Sequence, residues 1–267
     1  MFEAKLIQGS LLKRVLETVK NLLNEATLVC SKEGIQLEAM DHYRVSLMTV
    51  IIRADSFDKF QCDRTIRTGV DLAEMSKILC CCCTEKDIIT MKVDDEAEIF
   101  TFTFESPLKR KVTPSRTMKM KMQLVKFDQG AIGIPEKNYS AVIKMPSGDF
   151  QRVVKELSEF GKQLVIACVN EAEVKFAAAG DNGTGNIEVA QQSGGGEEEE
   201  VTIEIQEPVA MTFSSNFLNM FTEASRLANQ VSLHMSPESP MLVEYNIGEI
   251  GHVRFYLAPM IEDKAEA

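Results

Sequence analysis

Leu12, Val15, Leu16, Val19, Leu22 and Leu23 recur at steps of three and four residues behind Gly9 and Ser10. That spacing is one apolar face of a helix, and it predicts an amphipathic helix over 10–23 with a serine at its start. The rhythm then changes to alternation. "ATLVCS", "GIQLEAM", "RVSLMTVII" and "FDKFQC" read as short strands parted by turns at Lys32-Glu33-Gly34, Asp41-His42 and Ala54-Asp55. A second helix fits "DLAEMSKILCC", and "DIITMKV", "EIFTFTF" and "KVTPSRTMKMKM" alternate again.

The same order then repeats. "SGDFQRVVKELSEFGKQLVIACVNEAEVKFAAAGD" (147–181) is a helix followed by strands, and a shift of 138 positions sets Phe150 on Leu12, Arg152 on Arg14, Val153 on Val15 and Leu157 on Val19. A shift of 143 lays "SSNFLNMFTEASRLA" on the second helix. The chain thus reads as an internal duplication of a whole domain. Between the copies, "QLVKFDQGAIGIPEKN" (123–138) has two glycines, a proline and no regular period, and reads as a connector. "QQSGGGEEEE" (191–200) reads as a flexible acidic loop and "IEDKAEA" (261–267) as a frayed acidic tail.

Composition narrows the function classes. The longest apolar runs, such as "LVIACV", fall far short of the roughly 20 residues of a membrane span, and "MFEAKLIQGS" carries no basic-then-apolar leader pattern. These features predict a soluble intracellular protein with no membrane partner. The net charge of −11 argues by itself against binding nucleic acid, because affinity for phosphate comes from accumulated Lys and Arg. Net charge does not say where the charges sit, however.

Seven cysteines, an odd number with four adjacent at 80–83, do not make a disulfide framework. One metal needs four ligands spread tetrahedrally, whereas neighbours on a helix point about 100° apart and only Cys80 and Cys83 share a face. His42, His234 and His252 are scattered. Structural thiols, an exposed oxidation-sensitive site and a metal site all stay open, the first favoured; no metal site, cofactor or catalytic residue is assigned.

"MFEAKLIQGSLLKRVLE", "GIQLEAMD", "RVSL", "CDRTIRTGVDLAEMSKIL", "IGIPE", "KMPSGDFQRV" and "HVRFYLAPMIED" resemble, in order, blocks of the proliferating cell nuclear antigen family, the eukaryotic sliding clamps of DNA replication. The resemblance runs from Met1 to about Asp263. It implies an α+β DNA clamp fold: two duplicated domains, each with two helices packed on antiparallel sheets, in a chain that trimerises head to tail into a ring around duplex DNA. The domains expected are 1–122 and 139–260, joined by the connecting loop 123–138 and followed by the tail 261–267.

That arrangement answers the charge problem. Helices at 9–23, 72–83, 147–160 and 214–228 would line the hole. They carry Lys13, Arg14, Lys20, Lys77, Arg152, Lys155 and Arg226 against Glu17, Glu74, Asp149, Glu156, Glu159 and Glu223. Seven basic and six acidic side chains give this lining a net +1 within a chain of −11, so the remainder holds −12. Contacts of this kind with phosphate are independent of base sequence and sensitive to salt, as sliding requires. The resemblance implies DNA polymerases, a clamp loader, flap endonuclease, DNA ligase and other client-peptide (PIP-box) proteins as partners, and residence in the nucleus. "LKRK" (108–111) is too short a basic cluster to carry the latter by itself.

Met40, Arg44, Val45, Leu47, Ile132, Ile134, Pro135, Pro240, Tyr256, Ala258 and Pro259 match the positions that line the family's apolar pocket for client peptides. Such a cup suits a helical-turn plug with aliphatic and aromatic anchors. The chain also departs from the pattern. "DHYRV" stands for the family's "DSSHV", so that Arg44 replaces a pocket-rim histidine and Tyr43 adds bulk, and the connector is about two residues longer than the family's and carries Lys121 and Lys126 where the family is typically acidic. In the lining, Cys80, Glu159 and Glu223 stand where the family has Lys, His and Lys, which implies weaker DNA contact. Asn170, Glu171 and Met260 replace acceptor lysines. At the expected seam between chains, 111–119 against 185–191, Pro114 removes a ladder donor and an aromatic near Ser115 and Arg116 is missing.

Two other readings compete: a divergent clamp paralogue acting as a monomeric or hetero-oligomeric client-binding module, and a thiol or metal enzyme built on the cysteine run. The last lacks a nearby base, a phosphate loop or a carboxylate pair in the sequence.

Overall fold

The structure is a computed structural model. It describes residues 1–7, 9–20, 22–82, 87–93, 99–105, 117–124, 138–181, 183–194, 196, 199–237 and 239–260, with the backbone alone at 81 and 82. The first half runs β1 (Phe2–Leu6), α1 (Gly9–Val19), β2 (Glu25–Ser31), β3 (Gly34–Met40), β4 (Ser46–Arg53), β5 (Lys59–Cys62), β6 (Ile66–Asp71), α2 (Leu72–Cys82), β7 (Ile88–Val93), β8 (Ile99–Glu105) and β9 (Thr117–Gln123). The second runs β10 (Ala141–Pro146), α3 (Ser147–Ser158), β11 (Gln163–Asn170), β12 (Glu173–Gly180), β13 (Gly183–Ala190), β14 (Thr202–Ile205), β15 (Val209–Ser214), α4 (Ser215–Phe221), β16 (Gln230–Met235), β17 (Met241–Asn246) and β18 (Gly251–Leu257).

Element for element the halves are the same. Strands order as β5-β1-β7-β8-β9 and β4-β3-β2-β6 in the first, and as β14-β10-β16-β17-β18 and β13-β12-β11-β15 in the second. β1 with β5 and β7, β8 with β7 and β9, β11 with β15 and β12 with β13 all pair antiparallel. The chain forms two compact units: 1–41, 48–133 and 247–252 make one, and 42–47, 134–246 and 253–267 the other.

Backbone bonds repeat the duplication at the helix starts. The first amide of each helix donates to a carbonyl just past the end of its partner helix: Gly9 to Asp87 (3.2 Å), Leu72 to Asn24 (2.8 Å), Ser147 to Asn229 (2.8 Å) and Ser215 to Lys162 (3.0 Å). From Gly9 to Ser147 and from Asn24 to Lys162 the step is 138 residues, and from Leu72 to Ser215 it is 143. Those are the shifts at which the sequence overlays itself. Each bond satisfies a donor that a helix leaves unpaired at its start.

Alternation and helical spacing decide what is buried. In α1, Leu12, Val15, Leu16 and Val19 are buried while Arg14 and Lys20 are exposed. In α3, Phe150, Val153, Val154 and Leu157 are buried while Arg152, Lys155, Glu156 and Glu159 are exposed. Phe150 leans on Phe176 of β12, and Phe221 of α4 stacks on Phe255 of β18 at 4.5 Å and 11°, so the helix pair is seated on its own sheets. On β8, Phe100, Phe102 and Phe104 all point into the core of the first unit.

Three helix ends differ from expectation. α1 stops at Val19, because Leu22 and Leu23 both donate to the Val19 carbonyl and tighten the last turn, which keeps Leu23 buried. α3 stops at Ser158, with Phe160 donating to Leu157. The fourth is α-helical only over Ser215–Phe221, and Thr222–Arg226 is 3₁₀. There the Thr222 amide reaches both Leu218 and Met220, and its hydroxyl donates to the Asn219 carbonyl at 2.7 Å, competing with the regular ladder. β1, β6, β10 and β14 to β18 were not individually among the expected strands.

Candidate nucleic-acid and peptide interfaces

In each unit the two helices pack on one another, α1 on α2 and α3 on α4, and turn their polar faces to solvent. All seven basic residues of the expected lining lie on these faces. Arg14, Lys20, Lys77, Arg152, Lys155 and Arg226 are exposed and Lys13 is half-exposed. Three have carboxylate partners: Lys13 with Glu17 (3.9 Å), Arg152 with Asp149 (3.6 Å) and Arg226 with Glu223 (3.2 Å). Among the described residues, Arg14, Lys20, Lys77 and Lys155 have no carboxylate within 4.0 Å. These exposed pairs contribute little to stability. Their effect is to lower the positive charge presented.

Cys80 ends the polar face of α2. Its thiol donates to Oε1 of Glu17 at 3.5 Å and lies 3.9 Å from the Ser76 hydroxyl. The side chains of Cys81, Cys82 and Cys83 lie outside the described residues. Cys30, Cys62 and Cys168 are buried and free. Burial pushes the Cys30 thiol up to about 12, with Cys62 adding to it, and the Cys168 thiol up to about 11, so neither is a nucleophile near neutral pH. Among the described residues no three His, Cys, Asp or Glu side chains converge as a metal site would require.

Within the second unit the structure brings part of the expected peptide pocket together. The Ala258 amide donates to the Val45 carbonyl at 3.0 Å, which sets Ala258 beside segment 42–47, and the Met260 amide donates to the Thr212 carbonyl at 2.8 Å. Val45, Tyr256, Ala258 and Pro259 are half-buried, Leu47 is buried and Pro240 exposed. Arg44 holds a left-handed φ of 58°, uncommon for a residue with a side chain, and Tyr43 beside it is 81% exposed and edge-on to His42. Met40 ends β3 in the first unit, half-buried. Ile132, Ile134, Pro135, Lys126 and Pro114 lie outside the described residues.

Next to Tyr256 stand four residues that the sequence reading did not single out. Arg254 Nε donates to Glu244 Oε1 at 2.9 Å, His234 Nε2 lies 3.7 Å from Glu244 Oε2, and the Tyr139 ring sits 5.2 Å from His234. Burial raises the Tyr139 hydroxyl, with Tyr256 adding to it and Arg254 opposing. The Tyr256 hydroxyl is raised by burial too, against the pull of Arg254. The alternation of "QVSLHM" and "GHVRFYL" places His234, Arg254 and Tyr256 at polar positions of strands, but only the register joins them.

β9 and β13 lie at the ends of their sheets. On β9, Thr117, Lys119, Lys121 and Gln123 are exposed and alternate with Met118, Met120 and Met122; on β13, Thr184, Asn186, Glu188 and Ala190 alternate with Gly185, Ile187 and Val189. Phe160, 47% exposed, leans over β13: a Cβ on Gly185 would lie 3.1 Å from its Cδ2. A separate cavity of about 360 Å³ in the first unit, lined by Leu6, Ile7, Leu11, Ser56, Asp58 and Ile250, holds none of the expected site residues. Among the described residues no helix is long and apolar enough to cross a membrane.

Two family models match the chain. Residues 1–130 match "Proliferating cell nuclear antigen, N-terminal domain" and residues 133–260 match "Proliferating cell nuclear antigen, C-terminal domain".

Proposed function

The chain belongs to the proliferating cell nuclear antigen family, the sliding clamps of DNA replication and repair, and on that premise we propose that it is a homotrimeric polymerase processivity factor. Clamps of this family are non-enzymatic scaffolds that encircle DNA and hold replication partners. In this reading three copies join β9-side edge to β13 edge in a closed ring in the nucleus. The helix faces bearing Lys13, Arg14, Lys20, Lys77, Arg152, Lys155 and Arg226 meet the phosphates of duplex DNA. Polymerases, flap endonuclease, DNA ligase and the loader attach through short apolar peptides that enter the pocket of Met40, Arg44, Val45, Leu47, Ile132, Ile134, Pro135, Pro240, Tyr256, Ala258 and Pro259.

One observation carries the reading: each unit buries the apolar faces of its two helices and turns every basic residue of those helices outward. A surface of mixed charge with a small positive excess attracts the backbone without gripping it. Retention then comes from closure. Sedimentation of the purified protein across micromolar dilution tests this: a stable three-chain species, retained on circular DNA and lost when the circle is cut, is the expected result. Persistent single chains would refute it.

A second reading keeps the peptide pocket and drops the ring, as a monomer or as one subunit of a mixed ring. Lys119 and Lys121, exposed along β9, favour it, since charge on an end strand discourages pairing with another chain. Mixing with other clamp chains before sedimentation separates the two.

A further inference from the structure

On the sheet β14-β10-β16-β17-β18, His234 of β16 lies opposite Leu242 of β17 and Val142 of β10, and Val142 lies opposite Glu204 of β14. The His234 side chain is 19% exposed, and its Nε2 is buried with no hydrogen-bond partner. That nitrogen is 3.7 Å from Oε2 of Glu244, too far for a hydrogen bond, while the other oxygen of Glu244 accepts from Arg254 at 2.9 Å. The imidazole and the Tyr139 ring lie 5.2 Å apart, centre to centre, tilted by 57°. Tyr256 is near enough to Tyr139 to raise its hydroxyl, so the two phenols are neighbours on this face.

We propose that His234 is a positioning residue that makes client-peptide binding tighten as the pH falls below neutrality. The inference rests on the peptide-pocket reading and adds regulation to it. A neutral imidazole leaves Nε2 unsatisfied. Protonation makes both ring nitrogens donors, and Nε2–H then closes on Glu244 in a charge-assisted bond. The same charge attracts the π face of Tyr139, whose ring centre is already within the roughly 6 Å over which a cation and an aromatic interact. Tyr139 is thereby held against the sheet beside Tyr256, and less of its freedom is lost when a peptide docks.

The groups facing His234 agree with this sign. They are Glu244 from β17, Arg254 and Tyr256 from β18, Tyr139 from the segment before β10, Lys144 farther along β10, and Glu204 from β14. Two acids balance two bases, so the nearest, Glu244, decides. Histidine is the side chain whose charge ordinarily changes within the physiological range of pH.

The test uses a capped peptide of aliphatic, phenylalanine and glutamine residues, with no titratable group, bound to the full chain in a calorimeter from pH 5.5 to 8.0. Binding about threefold tighter at the acid end is expected, the factor given by a weak cation–π gain. His234→Asn, and separately Glu244→Gln, flatten the profile. A flat wild-type profile, or an unchanged slope in His234→Asn, overturns the proposal; should that variant fail to fold, Glu244→Gln decides alone. If the peptide binds at no pH, the pocket reading fails instead, and proton NMR then judges the inference. Tyr139 ring signals that move with the His234 titration uphold the coupling, and signals that stay still refute it.

Discussion

The thiol of Cys80 donates to Oε1 of Glu17 at 3.5 Å, and Lys13 approaches the same oxygen to 3.9 Å. One carboxylate thus occupies both a cation and a thiol on the helix face expected to meet DNA. Glu17→Gln removes the negative charge and releases Lys13. Duplex binding, followed by fluorescence anisotropy across a salt series, is expected to tighten several-fold, with the salt slope steeper by about 1 for the one phosphate contact regained. An unchanged slope would mean that this face does not meet the backbone.

Asp71 caps α2. Its Oδ1 accepts the Glu74 amide at 2.9 Å, in the first turn where the helix has no internal acceptor to offer. Asp71→Ala should cost about 1 kcal/mol of stability in urea denaturation, and Asp71→Ser should recover most of it.

Two glycines should respond oppositely to alanine. A Cβ on Gly34, whose φ is +146°, would lie 2.1 Å from the Ile52 carbonyl oxygen, whereas one on Gly148 meets nothing within 4 Å. Gly34→Ala is expected to cost at least about 2 kcal/mol, from backbone strain and collision together. Gly148→Ala, inside α3, should gain about 0.5–1 kcal/mol. Denaturant midpoints of the two variants check both signs.

Glu3 sits between Lys59 (2.9 Å) and Lys92 (2.8 Å) on the β5-β1-β7 strands. Hydrogen bonds from Lys92 and then Lys59 hold its carboxyl below the usual carboxylate range. A carboxyl with a lowered folded pKa stabilises the fold above its unfolded value, and that contribution disappears as the pH falls through the folded one. Glu3→Gln should therefore cost up to about 1 kcal/mol at pH 7, since both lysines are half-exposed, and nothing at strongly acid pH. Melting curves at the two pH values make the comparison.

Thiol accessibility gives a further check. Cys80 is exposed, whereas Cys30, Cys62 and Cys168 are buried. Brief alkylation of the native protein, mapped by mass spectrometry, should label Cys80 and spare the other three until denaturant is added.

Much of the fold was legible in the sequence because its repeats are physical ones. Leu12 with Phe150 and Val15 with Val153 occupy equivalent buried positions, and Arg14 with Arg152 equivalent exposed ones, so the overlay of the sequence on itself already located two helices and their inward faces. β6 was missed because Gly69 interrupts its alternation and it runs straight into the Asp71 cap. The end of the fourth helix was overrun because Thr222 bonds locally, which helical periodicity does not register. That Val45 and Ala258 lie together is not readable from local pattern, since they are far apart in the chain and meet through one main-chain bond. His234, Glu244 and Arg254 come together across strand registers that no local pattern records.

The four amide-to-carbonyl ties at the helix starts use main chain alone. Whatever side chain stands on the solvent face, the fastening is indifferent to it. The chemistry of that face can therefore vary, from the thiol at 80 to the acids at 159 and 223, while the scaffold beneath stays the same.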